Sequence, residues 1–150
     1  MKDIEVDQSG KIENTSRDTA IGFSNDISGS VIIQAKDKRE IQEIFRKSGK
    51  SRIFVYKLFA ILIFLSIRKH LNKINQIVID EEYPGKSYLI KNYLSQEIER
   101  IKPDFPVNNI VFNRIGKKSK AHYIAYGVAT KRRPPDKIIK IKDTLRFIVK

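Results

Sequence analysis

Apolar and polar positions alternate at the start of the chain, where Ile4-Glu5-Val6-Asp7 predicts a strand over 3–7. A second strand is expected over 19–24, after the polar stretch Gln8–Asp18, and a third over Ser30–Ala35. Asn25-Asp26 and Ser28-Gly29 supply hairpin-turn chemistry between these two. The period then lengthens. Ile41, Ile44 and Phe45 fall at helical spacing in a helix opened by Asp37 and interrupted at Ser48-Gly49, and a second helix follows over 52–72. Ile74–Asp80 reads as a fourth strand, ended by Tyr83-Pro84-Gly85. Ser87 is the expected cap of an amphipathic helix carrying Leu89, Ile90, Tyr93, Leu94, Ile98 and Ile101, stopped before Pro103. A fifth strand covers Asn109–Asn113, and a helix over Lys117–Lys131 places Ala121, Ile124, Ala125 and Val128 on one side. The final segment, Lys137–Lys150, alternates in part and predicts a strand or an extended arm.

With 37–72 counted as one interrupted unit, the order is β-β-β-α-β-α-β-α. That order predicts an α/β domain, a mixed five-stranded sheet with helices on both faces. One domain over 1–133 carries the fold, and 134–150 is a basic C-terminal strand or arm of the same domain.

The run Ile53–Ile67 is almost wholly apolar, yet at about fifteen residues it is shorter than the roughly twenty that span a bilayer. Lys57 lies inside it, so a buried core helix is expected and no membrane partner. A small basic membrane-associated protein is the alternative that follows if this run proves exposed. Without cysteine the chain has no disulfide, thiol catalysis or cysteine zinc site, and His70 and His122 alone do not make a histidine zinc site. The polar, acidic start shows no signal peptide, and the cytoplasm is the expected location.

Charge narrows the function further. The net charge of +13 points to a polyanion. From Arg114 onward, twelve Lys and Arg stand against Asp136 and Asp143, which is +10 of that total. Against this basic background, Asp7 and Asp80 are out of place, because aspartate is depleted in strands. If their strands pair, the two carboxylates meet and form an oxygen site for Mg2+ or Mn2+. A turn-forming role for Asp7 and a strand-boundary role for Asp80 are the plainer alternatives.

The element order, the opening Asp7-Gln8-Ser9-Gly10 and a fourth strand ending in Asp80 resemble the ribonuclease H-like superfamily, which includes ribonuclease H and RuvC-type junction resolvases. The resemblance covers the chain through about Arg133 and implies that strands 3–7 and 74–80 are parallel neighbours. It also implies two metal ions about 4 Å apart that activate water in phosphodiester cleavage. Asp7 and Asp80 then serve as metal ligands and catalytic carboxylates. Glu40 and Glu43 lie near the place of a first-helix ligand, of which Glu40 is assigned to the metal, with a solvated helix face as the competing reading for each. Of Glu81 and Glu82, which directly follow Asp80, one can point back at the metals, and Glu81 is assigned that part. The family's last helix carries a further ligand, usually Asp and in some branches His. Here that helix holds no acid, and His122 is its only metal-capable residue. A core-edge or phosphate-facing histidine is the competing reading of His122.

Lys117, Lys118, Lys120, Lys131, Arg132 and Arg133 are the candidate phosphate contacts, interleaved with Tyr123 and Tyr126, which can stack on unpaired bases or simply pack. The expectation is a metal-dependent nuclease acting on nucleic acid, DNA in preference to RNA. Structure-selective cleavage of the Holliday-junction type is favoured, by a homodimer matched to a two-fold substrate. A non-catalytic nucleic-acid-binding module is the alternative if the carboxylates lie too far apart to share metal.

Overall fold

In a computed structural model that describes residues 1–148, the N-terminal segments form strands β1 (Lys2–Ser9), β2 (Thr19–Asn25) and β3 (Ile27–Ile33) as an antiparallel meander. The third strand begins three residues before the expected Ser30. Asp26 alone makes the turn, in the left-handed region (φ +64°) that Asp tolerates. Gly29 is therefore a strand residue. It lies directly opposite Phe23, and a Cβ there would meet the Phe23 ring at 2.4 Å.

Helix α1 (Ala35–Lys47) starts two residues before the expected Asp37, because Asp18 of the β1–β2 loop accepts the Ala35 N–H at 2.9 Å. Lys38 in its first turn is fully buried. Its ammonium donates to the carbonyls of Lys11 and Asn14 and to Thr19 Oγ1, at 3.2, 2.8 and 2.9 Å, and so ties the β1–β2 loop to the helix.

The apolar run becomes helix α2 (Phe54–Ile67), bracketed by short 3-10 segments at Ser51–Ile53 and Arg68–Lys73. It is buried around most of its girth, packed against β2, β3 and the next long helix. That explains its lack of a polar face. Burying each Leu, Ile or Phe there stabilises the fold by about 1.5–3 kcal/mol. Among the described residues no helix is long and apolar enough to cross a membrane. Exposure of the apolar run, the condition set for the membrane-associated alternative, is not what the fold shows.

Strand β4 (Ile74–Asp80) runs parallel to β1, with Val6 opposite Ile79, as expected for these two strands. Helix α3 (Ser87–Ile101) follows with Ser87 as its first residue rather than its cap. Strand β5 (Ile110–Asn113) adds parallel to β4. Helix α4 (Lys120–Ala129) is shorter than the expected Lys117–Lys131, since Ser119 caps it by accepting the Ala121 N–H. Lys117 and Lys118 therefore sit in the preceding loop.

The C-terminal segment corrects the expected strand or arm. It forms a sixth strand, β6 (Lys137–Ile139), parallel to β3, and then helix α5 (Ile141–Ile148). Val149 and Lys150 lie outside the described residues. Asp136 accepts the Ser30 N–H, the buried Asp37 accepts the Ile141 N–H, and Phe147 packs edge-on to Phe64. These anchors integrate residues 134–148 into the domain.

The six-stranded mixed sheet, ordered β5-β4-β1-β2-β3-β6, carries helices on both faces. The large core lies on one face, where Ile4, Val6, Ile21, Phe23 and Val31 meet α1, α2, α3 and α5. Among the described residues, α4 is the helix on the other face, packing on β1, β2 and β3 around Ala20, Ile32 and Val128.

Candidate metal centre

Asp7 lies directly opposite Gly22 in the β1–β2 ladder, so both face α4. A Cβ on Gly22 would meet the Ala125 backbone nitrogen at 2.7 Å and the Ala121 carbonyl oxygen at 2.9 Å. Because Gly22 has none, α4 rests on the sheet at backbone distance. Between those two alanines sits His122, and this close seat brings its Nδ1 to 2.9 Å from Asp7 Oδ2. The other Asp7 oxygen accepts the Gln8 N–H at 2.8 Å. Asp7 does bond a neighbouring backbone amide, as the turn reading supposed, but it does so from inside a strand and almost fully buried.

Asp80 ends β4 and accepts the Ile115 N–H at 3.0 Å, from the loop between β5 and α4. Beyond it the backbone stays in strand register for one more residue, since the Glu81 N–H donates to the Asn113 carbonyl. The Glu82 N–H then bonds back to the Asp80 carbonyl at 2.9 Å, a tight turn about Glu81 that sets the Glu82 carboxylate beside that of Asp80. Tyr83 steadies this corner. It packs edge-on to Tyr56 and Phe59 and hydrogen-bonds Gln8 and Glu13.

One carboxylate oxygen from each of Asp7, Asp80 and Glu82 lies within 4.8 Å of the others. Two oxygens bound to one divalent cation at 2.0–2.6 Å are at most about 4–5 Å apart, so the trio is spaced to share a cation. Electrostatics agrees. Burial, then the Asp80 and Asp7 carboxylates, pushes Glu82 up to about 8. Burial raises Asp7 as well, against the lowering effect of the Gln8 amide and His122. Three crowded anions without a counter-charge keep a proton among them, and a divalent cation can take its place.

The expected ligands divide accordingly. Asp7 and Asp80 are brought together, and His122 joins Asp7 by hydrogen bond without being one of the three clustered ligands. Glu81 is exposed and outside the cluster, and Glu82 takes the part assigned to it. The turn about Glu81, formed in the folded chain, separates the two, and no local pattern in the sequence announces it. Glu40 is exposed on α1 and is also outside the cluster.

A cleft of about 220 Å3 opens onto the carboxylates, lined by Gln8, Gly116 and Lys117 together with Asp7, Asp80, Glu82 and His122. Of the six basic candidates, only Lys117 lines it. Lys118 is exposed in the same loop. The others surround larger clefts elsewhere on α4. Lys120 and Arg133 share one of about 340 Å3, while Lys131, Arg132 and Arg133 border another of about 360 Å3 beside Pro134 and Pro135. The acids, not the volumes, identify the smaller cleft as the chemical site. Lys131 ends α4 in the left-handed conformation (φ +62°), where glycine is the usual residue. That turn folds the chain back, so that the amides of Arg132 and Arg133 both donate to the Gly127 carbonyl. No protein-family model, curated protein or solved structure matches the chain.

Proposed function

We propose that this protein is a ribonuclease H-like, Mg2+- or Mn2+-dependent nuclease, with structure-selective DNA cleavage of the Holliday-junction type as its specific activity. The observation that carries the reading is the convergence of Asp7, Asp80 and Glu82 oxygens within 4.8 Å, in a chain of net charge +13. The parallel pairing of β1 with β4, which sets the first carboxylate beside the second, is what the superfamily resemblance implies. A separation too wide for shared metal would have favoured a pure binding module, and the spacing found does not.

Asp7, Asp80 and Glu82 are the residues that would hold the metal. A bound divalent cation supplies Lewis-acid activation of water and charge stabilisation at the phosphate. The remaining tasks fall to the chain. His122, in the tautomer that carries its proton on Nδ1, would donate to Asp7 across the 2.9 Å contact and fix the orientation of that carboxylate. Lys117 at the cleft rim pairs with the phosphate as it gains charge. Ile115 fixes Asp80 through its amide. A two-fold junction substrate implies that two copies of the chain act together.

The test uses junction, flap and linear duplex DNA with Mg2+ or Mn2+. Asp7→Asn and Asp80→Asn should each abolish cleavage while binding stays equal or tightens, because phosphate repulsion falls. Cleavage unchanged in both variants refutes the site. A wild type that binds every substrate and cuts none makes the protein a non-catalytic binding module, a reading that the lack of an acid on α4 would then explain.

A further inference from the structure

The face of α4 turned away from the carboxylates carries a second, differently built groove. It runs between α4 and the β2–β3 turn, encloses about 340 Å3, and is lined by Lys120, Tyr123 and Arg133 with Ser24, Ser28 and Asp26. We propose that this groove is a subsite for an unpaired nucleic-acid strand, with Tyr123 as the base-stacking platform and Lys120 and Arg133 as its phosphate contacts. It rests on the nucleic-acid reading of the adjoining metal centre and names the substrate class that reading leaves open.

The two tyrosines of α4 differ in what holds them. The Tyr126 ring lies nearly parallel to the His122 imidazole, at 18° and 6.0 Å between centroids, and so is already engaged at the metal side. Tyr123 meets the same imidazole only edge-on, at 6.4 Å between centroids, and is 66% exposed at the groove against 47% for Tyr126, which leaves its ring face open. An aromatic face offered beside two cations suits a base with its phosphates. Stacking of this kind tolerates any sequence, because every base has a π-face.

Charge complementarity points the same way. The one acid of the groove, Asp26, is paired with Lys2 at 3.5 Å, which leaves Lys120 and Arg133 to set its sign. Arg133 is brought there by the reversal after α4, where its side chain passes over Gly127, 3.3 Å from where a Cβ would stand.

The groove and the metal cleft flank the same first turns of α4. A helix with its side chains is about 10–12 Å across. A strand bound at the carboxylates therefore has only a few nucleotides to cross before it reaches the groove. A fully paired duplex cannot offer Tyr123 a free base face there. A junction arm, flap or frayed end can.

The experiment measures anisotropy of labelled DNA with the full chain in EDTA, so that the outcome does not depend on the metal site. The probes are an oligothymidylate of about 15 nucleotides, within the usual site size, and a duplex of equal length. Tyr123→Ala should weaken single-strand binding about 5- to 150-fold and leave duplex binding within about twofold, while Tyr123→Phe stays near wild type. The Lys120→Gln, Arg133→Gln pair should lower the single-strand salt slope by about 1.4. Wild-type single-strand affinity in Tyr123→Ala, or equal losses on both probes, overturns the subsite. If that variant keeps wild-type binding and the wild type cleaves, the groove proposal fails and the nuclease reading stands. If single-strand binding is lost as expected and no substrate is cleaved, the reverse holds.

Discussion

Replacing Glu82 with glutamine tests whether the three carboxylates are as crowded as their geometry indicates. Glu82 is pushed from 4.5 up to about 8, first by burial and then by Asp80 and Asp7. A carboxyl held above its ordinary value favours the protonated folded state. Its stabilising effect is therefore present below about 4.5 and is lost as pH rises through about 8. At 1.36 kcal/mol per unit the full effect has a ceiling of about 5 kcal/mol. The side chain is partly open to water, so screening reduces this to about 2–3 kcal/mol. Glutamine keeps the shape and cannot ionise. In EDTA at pH 9, Glu82→Gln should raise Tm by roughly 5–10 °C, and the two proteins should converge near pH 4.5. Mn2+ reverses the order at neutral pH, where the penalty is only partly developed, and cancels most of it at pH 9, since at 100 times Kd it stabilises the wild type by about 2.7 kcal/mol and the variant lacks a ligand. Manganese affinity of the wild type should also rise with pH up to about 8, as binding displaces the proton. Thermal melts across pH 4–9, with and without Mn2+, read all of this. A variant no more stable than wild type at pH 9 in EDTA refutes the crowding argument.

Three further outcomes follow from the packing and the charge. Gly22→Ala should destabilise the fold by about 1–3 kcal/mol in urea titration, because its Cβ meets α4 backbone that cannot move aside, and it should weaken the His122–Asp7 contact and with it any metal-dependent cleavage. Lys38→Met removes the buried bond to Thr19 and the ties to the Lys11 and Asn14 carbonyls, which keep only their backbone donors, costing about 1–3 kcal/mol and loosening the β1–β2 loop, which hydrogen exchange at residues 11–18 would register. Neutralising Lys131, Arg132 and Arg133 together should weaken duplex binding at every sequence and lower the salt slope by up to about 2.7, and an unchanged slope would place the phosphate contacts elsewhere.

Much of the fold was legible in the order of residues because burial imposes a period. Ile4 and Val6 alternate with Glu5 and Asp7, and that alternation announces β1 and sets Asp7 apart from the core residues. The run in α2 is apolar all round, and the structure buries it almost all round. Where the sequence misled, the deciding partner was distant. Gly29 has turn chemistry, yet it is a strand residue that accommodates the Phe23 ring. The basic tail looks suited to an arm, but Asp37, Ser30 and Phe64 provide anchors that only the tertiary structure brings near.

The site divides along the same line. That Asp7 and Asp80 are strand carboxylates in a basic chain is local information, carried by residue type and neighbours. That Glu82 rather than Glu81 joins them depends on the turn after β4, where the Glu81 N–H is held by Asn113 of β5 and the Glu82 N–H bonds back to Asp80, a relation between elements far apart in sequence. His122 reaches Asp7 because Gly22, one hundred residues earlier in the chain, has no side chain to hold α4 away. Local chemistry chose the candidate residues. Contact between distant segments, which no single stretch encodes, selected among them.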